Sequence, residues 1–391
     1  MKNKLQNSVL VLLFVLMCVT VKANDGIFYA NGNHLVPMLE TDISVRKEVL
    51  TIYLQNDGYA RVDVSYEFWN PGKATKKLLM GFEAATPSYW EYEPEPEFSI
   101  EHPDIYNFTV EMNGQQLNYQ VAFSLSGVLN PDSLIPTKEL QHLSQMDPDF
   151  YFDSYVYYFD AEFQPGLNKI HHTYRYAMSS NVIQPWVLDY SLTPASRWAG
   201  GKIDDFTLIV RSDKQHSHFF MPMSIIPEAE CTVIDGWGKT RKKSYSDRYG
   251  SFSWRKSYSD SDDIYMDFDS LDCYEVSVRN GAVSWHKKDF RPELELVLYG
   301  ANFGDEVRDY YHDLNYDYPF EYFTSYDNTY DKELLRRVAR NMPYAQHGRV
   351  FKDQKLKEFF ESLWWYMPDP NYKGSDNFSK KDWLYINVTT D

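Results

Sequence analysis

The chain has 391 residues, of which 43% are hydrophobic and 17% aromatic, and its formal net charge is −17. This length and apolar content are enough for more than one hydrophobic core. The acidic balance argues against nucleic acid and anionic lipid as partners of the main body of the chain.

Residues 1–23 have the features of a secretory signal. Two lysines precede an apolar run at residues 9–19, and small residues ending at Ala23 occupy the positions that a signal peptidase reads. The run is shorter than the roughly twenty apolar residues that span a bilayer. We therefore expect cleavage after Ala23, export to the periplasm or the cell surface, and a mature charge of −20 once the three lysines of the leader are lost.

From the leader to residue 315 the pattern is that of β-strands. Residues 60–69 alternate apolar with polar side chains, which predicts a strand with one buried face. Asn113-Gly114 predicts a tight hairpin between two alternating runs, the second of which continues through Phe123.

Three further local signals are present. Asn280-Gly281 divides two apolar runs in the same manner as Asn113-Gly114, and Pro165-Gly166 opens another alternating run. Residues 137–146 predict a short helix within a proline-punctuated connection.

The expected fold is therefore mainly β, with an antiparallel β-sandwich body of two packed lobes followed by a small α-helical C-terminal module. The expected divisions are residues 24–148 for the first lobe and a connecting segment, 149–315 for the second lobe, 316–328 for a linker and 329–391 for the helical domain.

The C-terminal module begins with a predicted amphipathic helix, in which Leu334, Val338 and Met342 recur at helical spacing. Pro343 lacks an N–H donor and is expected to end this helix near residue 341. Gly348 is expected to close the following turn. Asp353 is expected to cap a second helix that buries Leu356, Phe359, Phe360 and Leu363.

The sequence of this module resembles a known family. Tyr344-Ala345-Gln346-His347-Gly348 is followed by Phe351 and by Trp365-Tyr366-Met367-Pro368, in the order found in YARHG domains. These are small helical modules of secreted bacterial proteins with no settled activity, so the resemblance implies an architecture without a reaction. Gln346 stands where the family has the arginine of its name.

The body also resembles a family. Residues 32–45, 190–198 and 289–292 are similar to segments of an uncharacterised secreted β family of Gram-negative bacteria. That resemblance implies a β fold and carries no catalytic residue.

The helical module is locally basic, because seven Lys and Arg fall between residues 336 and 357 with Asp353 as the only acid. One interpretation is a solvated face or a surface that docks on the acidic body; the other is capture of an anionic envelope polymer. Its aromatic side chains either form the core of the domain or stack on sugar rings. The candidate binding residues are Arg336, Arg337, Arg340, His347, Arg349, Trp364 and Trp365.

No catalytic residue, metal site or cofactor is predicted. The chain contains neither Gly-x-Ser-x-Gly nor His-Glu-x-x-His. His216 and His218 would share one face of a strand, but the sequence identifies no third metal ligand. Lys380 stands where a calcium loop starting at Asp369 needs a glutamate.

The predicted function is that of a secreted cell-envelope protein acting as an interaction or binding module, with an envelope protein or an anionic wall or surface glycan as the partner. The alternative is a hydrolase of unrecognised type that acts on envelope polymers, and its carboxylates would have to converge in a cleft. The sequence leaves the oligomeric state open.

Cys231 and Cys273 are the two cysteines that remain after the leader. Export favours a disulfide between them, which would close a loop of about forty residues and contribute roughly 3–4 kcal/mol. The other interpretation is two separate, small buried hydrophobic residues.

Overall fold

The computed structural model describes residues 35–38, 41–85, 101–124, 131–146, 154–179, 186–213, 217–246, 270–300, 332–376, 378 and 380–388. The predicted leader with its cleavage site, the linker at 316–328 and His216 lie outside these residues. No helix in the described ranges is long and apolar enough to cross a bilayer.

The described chain is a β-sandwich followed by helices, as predicted. The strands are β1 Val36–Pro37, β2 Ser44–Leu54, β3 Tyr59–Asn70, β4 Lys76–Ala85, β5 Ile105–Met112, β6 Gln115–Gln116, β7 Gln120–Ser124, β8 Leu134–Pro136, β9 Ser154–Phe163, β10 Gly166–Ala177, β11 Val187–Tyr190, β12 Ile203–Ser212, β13 Ser217–Pro222, β14 Thr232–Ser246, β15 Ser270–Phe290 and β16 Leu296–Gly300. The helices are α1 Thr137–Met146, α2 Lys332–Gln346, α3 Gln354–Ser362 and α4 Lys380–Val388, with short 3-10 turns at Pro131–Ser133 and Thr193–Arg197.

The strands of the described ranges form two sheets. The smaller sheet has the order β1-β4-β9-β7-β8, and the larger has the order β11-β16-β13-β15-β12-β2-β3-β10-β5-β6, with β14 also paired to β15. Their facing sides interdigitate: Phe82 of the small sheet lies 5.3 Å from Phe108 and 4.7 Å from Tyr174 of the large sheet, measured between ring centroids. The body core is therefore an aromatic-rich layer between two sheets.

Strands of both predicted lobes belong to the same sheet. β2 and β3 of the first lobe pair with β12 and β10 of the second, and one hydrophobic cluster includes residues from both. The segments before and after residue 148 therefore contribute strands to the same sheet and side chains to the same hydrophobic core. The parallel pairing of β2 with β12 joins segments about 158 residues apart, which local patterns in the sequence do not reveal.

Local signals predicted several strands correctly. Along β3 every second residue from Ala60 to Asn70 is buried, as its alternation predicts. Asn113 and Gly114 have positive φ and connect β5 to β6, which confirms the hairpin. The second strand of this hairpin, β6, is shorter than predicted. After Gln116 the chain leaves the large sheet and enters the small sheet as β7.

Asn280-Gly281 does not form a hairpin turn. It lies inside the 21-residue strand β15, which pairs along one edge with β13 and β12 and along the other with β14. Asn280 has φ 43°, and the register to β14 shifts at this point, so the pair forms a bulge. The extra residue explains why Val278 and Val283, an odd number of residues apart, are both buried.

The cysteines are free thiols in the structure, so the predicted disulfide is absent. Cys273 lies opposite Lys243 on β14, on the same sheet face as Glu275. The carbonyl of Cys231 accepts a hydrogen bond from Thr240, which is opposite Val276 on the other face. The Cys231 backbone therefore lies on the Thr240 side of the β14–β15 pair, opposite to the face that carries the Cys273 side chain.

We expect both thiols to react slowly in the folded protein. Burial raises the pKa of Cys273 to about 12 and that of Cys231 even further, so little of the reactive thiolate forms near neutral pH. Alkylation without reductant, followed by mass spectrometry, should label neither site quickly in buffer and both sites in denaturant. A peptide pair linked through these two positions would contradict the structure.

Three of the helices belong to the C-terminal module, and Pro343 does not end the first of them. α2 continues through Pro343 to Gln346, contrary to the prediction. Pro343 is buried, and Ala339, Met342 and Ala345 around it pack into the core of the module. Burial of this apolar face outweighs the loss of one backbone donor.

The ends of these helices follow the predicted signals. Gly348 has φ +85°, its N–H donates to the Ala345 carbonyl, and the next N–H donates to the Tyr344 carbonyl, which is a Schellman ending. The Asp353 side chain accepts from the Leu356 N–H at 3.1 Å and caps α3. α3 buries Leu356 and Phe360 and ends at Ser362.

We expect the β body to fold without the helical module. In the described residues the buried side chains of residues 338–366 form a cluster of their own, which shares no member with the cluster of the body. A chain that ends at residue 325 should keep its β signal in circular dichroism and melt cooperatively. Aggregation or loss of that signal would show that the module is part of the main core.

Candidate functional site

The residues of the YARHG-like motif lie mostly inside the helical module. The Tyr344 ring packs edge-on against Phe378 at 4.9 Å, and the His347 ring lies 4.5 Å from the same phenylalanine. His347 Nε2 is 3.2 Å from Asp382 Oδ2 on α4. Ala345 is fully buried. The motif therefore connects the end of α2 to α4, and the His347 side chain contacts Asp382 and Phe378 of the same domain.

One face of the body carries the module. In β15, Glu275 and Ser277 alternate with core valines, and their partners across the ladder are Phe220 and His218 on β13 and Arg241 and Lys239 on β14. Residues directly opposite in antiparallel strands share a face. We call the polar residues of this surface the docking face: His218, Lys239, Arg241, Glu275, Ser277 and Arg279.

The docking face donates hydrogen bonds to backbone carbonyls of the module. Arg279 Nη2 donates to the Gln346 carbonyl at 3.0 Å, at the C-terminal end of α2. Ser277 Oγ and Lys239 Nζ donate to the carbonyls of Trp365 and Tyr366, each at 3.3 Å. Gln346 is the last residue of α2, and because a helix C-terminus carries partial negative charge and unsatisfied carbonyls, the Arg279 cation stabilises it.

Trp364 is the side chain that the docking face holds. The Arg241 guanidinium lies 4.4 Å from the centroid of its indole, the Lys239 ammonium 5.2 Å, and the His218 ring 5.9 Å. Two cations over one indole form a cation–π arrangement. The adjacent Trp365 is 1% exposed and belongs to the core of the module. Both tryptophans are thus used for packing and docking.

A buried charge cluster lies beneath Trp364. His218 Nε2 is 2.9 Å from Glu275 Oε1, and Arg241 Nε is 2.6 Å from Glu275 Oε2. The side chains of His218 and Glu275 are each 1% exposed. Burial raises the pKa of Glu275, but the hydrogen bonds from His218 and Arg241 outweigh burial and hold this pKa below its ordinary value. His218 therefore has a carboxylate partner in place of the metal considered from the sequence.

Gly348 of the module lies directly against the Arg279 side chain of the body. A Cβ atom at this position would lie 1.8 Å from Arg279 Nη1 and 2.9 Å from the Asp369 Cβ. Burial lowers the pKa of Arg279, which is 5% exposed. The motif glycine thus serves two purposes, since it allows the left-handed turn and leaves room for the guanidinium.

The seven basic residues between 336 and 357 do not make these docking contacts. Arg337 pairs with Asp353 at 2.6 Å, and Lys357 lies 3.9 Å from Glu361. The remaining basic side chains are exposed, and they are Arg336, Arg340, Arg349, Lys352 and Lys355. The cations that make the junction contacts described above belong to the body, and they are Lys239, Arg241 and Arg279.

The described ranges contain a further groove and no metal-ligand cluster. No group of three His, Cys, Asp or Glu there is placed to hold a metal ion. A groove of about 400 Å³ crosses β2, β3, β5 and β10 and is lined by Lys47, Glu67, Glu111, Lys169 and His171 among others. Two of these lining side chains already approach one another, with Lys169 Nζ 3.7 Å from Glu67 Oε1.

The comparisons with solved structures concern the fold. A Legionella pneumophila protein described as a "putative nutrient binding protein" is 18% identical, with a TM-score of 0.54, over 94% of this chain and 100% of that one. An M1 zinc metallopeptidase of Deinococcus radiodurans is 8% identical, with a TM-score of 0.27, over 68% of this chain and 43% of that one. The Legionella protein shares the fold, whereas the second likeness is too low to support an argument.

The comparisons with sequences concern the C-terminal module. No curated protein sequence matches the chain. The family model for the YARHG domain matches residues 317–388, which include α2, α3, α4 and the motif whose glycine meets Arg279. The protein therefore carries a YARHG domain at residues 317–388, joined to a mainly β body through the docking face.

Proposed function

We propose that the protein is an exported binding protein of the cell envelope, and that its YARHG domain contacts an anionic envelope glycan. The supporting observation is the orientation of the domain. The Trp364 ring, the Trp365 carbonyl and the end of α2 meet the body, whereas the exposed basic side chains are Arg336, Arg340, Arg349, Lys352 and Lys355. The description of the Legionella neighbour as a binding protein agrees in class. The leader-like residues 1–23 support export.

The exposed basic residues of the YARHG domain are the surface on which an anionic polymer could bind. A chain with a net charge of −17 is repelled by anionic polymers as a whole, so binding must come from a local cationic surface that the ligand reaches without approaching the acidic remainder. Such contacts weaken as salt rises, because they are exposed.

Affinity electrophoresis in gels containing polygalacturonate tests this proposal, with neutral dextran as the reference polymer. The wild-type protein should be retarded by polygalacturonate alone, and added salt should reduce the effect. Arg340→Ala/Lys352→Ala should weaken retardation, whereas the matched variant Lys373→Ala/Lys380→Ala, which also removes two exposed cations of the domain, should behave as wild type. Equal mobility of the wild-type protein in the polygalacturonate and dextran gels, with no retardation in a matched polyphosphate gel, would refute the proposal.

A further inference from the structure

Arg349 is an exposed cation with a fixed backbone. It follows Gly348 directly, and its N–H donates to the Tyr344 carbonyl at 2.9 Å. Its own carbonyl accepts a hydrogen bond from the Tyr366 hydroxyl at 2.6 Å. The backbone of Arg349 is thus fixed by one hydrogen bond to the C-terminal turn of α2 and by another to the Tyr366 hydroxyl.

Aromatic rings hold the guanidinium. Its central carbon lies 5.0 Å from the Tyr344 centroid and 5.7 Å from that of Phe351. Neither ring is free to turn away, because Phe351 stacks on Phe360 at 4.6 Å and Tyr344 packs against Phe378. A guanidinium against aromatic rings keeps its N–H donors in a defined plane, which reduces the entropy lost when an anion binds.

The guanidinium has no carboxylate partner among the described residues, whereas Arg337 of the same domain pairs with Asp353. Arg340 is exposed one helical turn before Tyr344.

We propose that Arg349, with Arg340 on the last turns of α2 nearby, forms an oxyanion subsite that takes a carboxylate or a phosphate group of an acidic glycan. This inference rests on the proposed function and names the group that the domain recognises. The planar fork of Arg349 makes two parallel N–H contacts to the anion, which a lysine ammonium does not reproduce. Arg340 adds a second positive charge from the neighbouring turn.

Binding constants for polygalacturonate and for polyphosphate, measured by competition in solution, test the subsite. Arg349→Ala should weaken binding to at least one of these polymers about tenfold, which corresponds to roughly 1.4 kcal/mol. Arg349→Lys keeps the charge and should still weaken binding several-fold, because it lacks the fork. Lys357→Ala removes an exposed cation on α3 and should change binding less than twofold. All three variants should melt like the wild type.

The outcomes separate the two proposals. If the wild type binds neither polymer, the proposed function fails. If it binds and Arg349→Ala weakens binding no more than Lys357→Ala, glycan binding stands and the subsite is overturned. Full binding by Arg349→Lys would also overturn the subsite, since a point charge would then suffice. If Arg349→Ala weakens binding to polygalacturonate and leaves binding to polyphosphate unchanged, the recognised group is a carboxylate. The reverse result identifies a phosphate.

Discussion

Glu275→Ala is expected to lower the free energy of unfolding by about 3–5 kcal/mol, because it leaves the buried His218 and the half-buried Arg241 without their carboxylate. Urea unfolding followed by circular dichroism measures the loss. The matched control is Asp205→Ala. Asp205 contacts His286 at 2.9 Å and also pairs with Lys288, but on the exposed face of the sheet. Its removal should cost within about 1 kcal/mol.

The same carboxylate makes this contribution depend on pH. A carboxyl group whose pKa is lower in the folded state stabilises the fold above its unfolded pKa, here about 4.5, and loses that contribution as the pH falls through the folded value. As the pH falls below about 4.5, the free energy of unfolding of Glu275→Gln should therefore decrease less than that of the wild type. Equal losses for the buried and the exposed carboxylate, or an unchanged acid limb in Glu275→Gln, would contradict the role assigned to this cluster.

Gly348→Ala is expected to destabilise the junction of domain and body by about 2–5 kcal/mol, the sum of a left-handed backbone cost and an overpacking cost. The added methyl group would meet the Arg279 guanidinium. Gly374→Ala is the matched control, because Gly374 has φ +89° with nothing within 4 Å of a Cβ atom. It should show the backbone cost alone, about 1–2 kcal/mol.

A double-mutant cycle isolates the steric part of this effect. In the Arg279→Ala background the guanidinium is gone, so the cost of Gly348→Ala should fall to the backbone cost seen in Gly374→Ala plus that of the remaining close contact with the Asp369 Cβ, 2.9 Å from the added atom. Non-additivity of at least about 1 kcal/mol is expected for two groups in direct contact. Strict additivity of the two substitutions would show that Gly348 and Arg279 do not meet, and the docking geometry described above would then be wrong.

Elements with local signals were predictable from sequence. The alternation of β3, the Asn113-Gly114 turn, the helix at 137–146 and the cap at Asp353 each depend on residues close together in the chain. Predictions failed where distant packing decides the outcome. Burial of its neighbours keeps Pro343 inside α2, and pairing along both edges of β15 turns Asn280-Gly281 into a bulge.

The docking face was missed for the same reason. Lys239 and Arg241 alternate in β14 as exposed strand residues do, and that period of two was a visible signal. Nothing local indicates that Glu275 and His218 stand opposite them, since both belong to other strands. The sequence treats the candidate binding residues of the YARHG domain as one group, and the structure separates Trp364 and Trp365, which face the body or the domain core, from the exposed Arg336, Arg340 and Arg349.

The parallel ladder between β2 and β12 has a consequence for how the chain reaches its native state. β2 lies between β3 and β12 in the sheet, and β12 follows it in the chain by about 158 residues. Closing so long a loop costs conformational entropy before the β2–β12 contacts form, and this slows folding. A chain that emerges from its N-terminus would expose one edge of β2 until residues 203–212 arrive. During that interval the unpaired edge of β2 is a template on which another copy of the chain can add a strand, so aggregation before β12 arrives lowers the yield of folded protein.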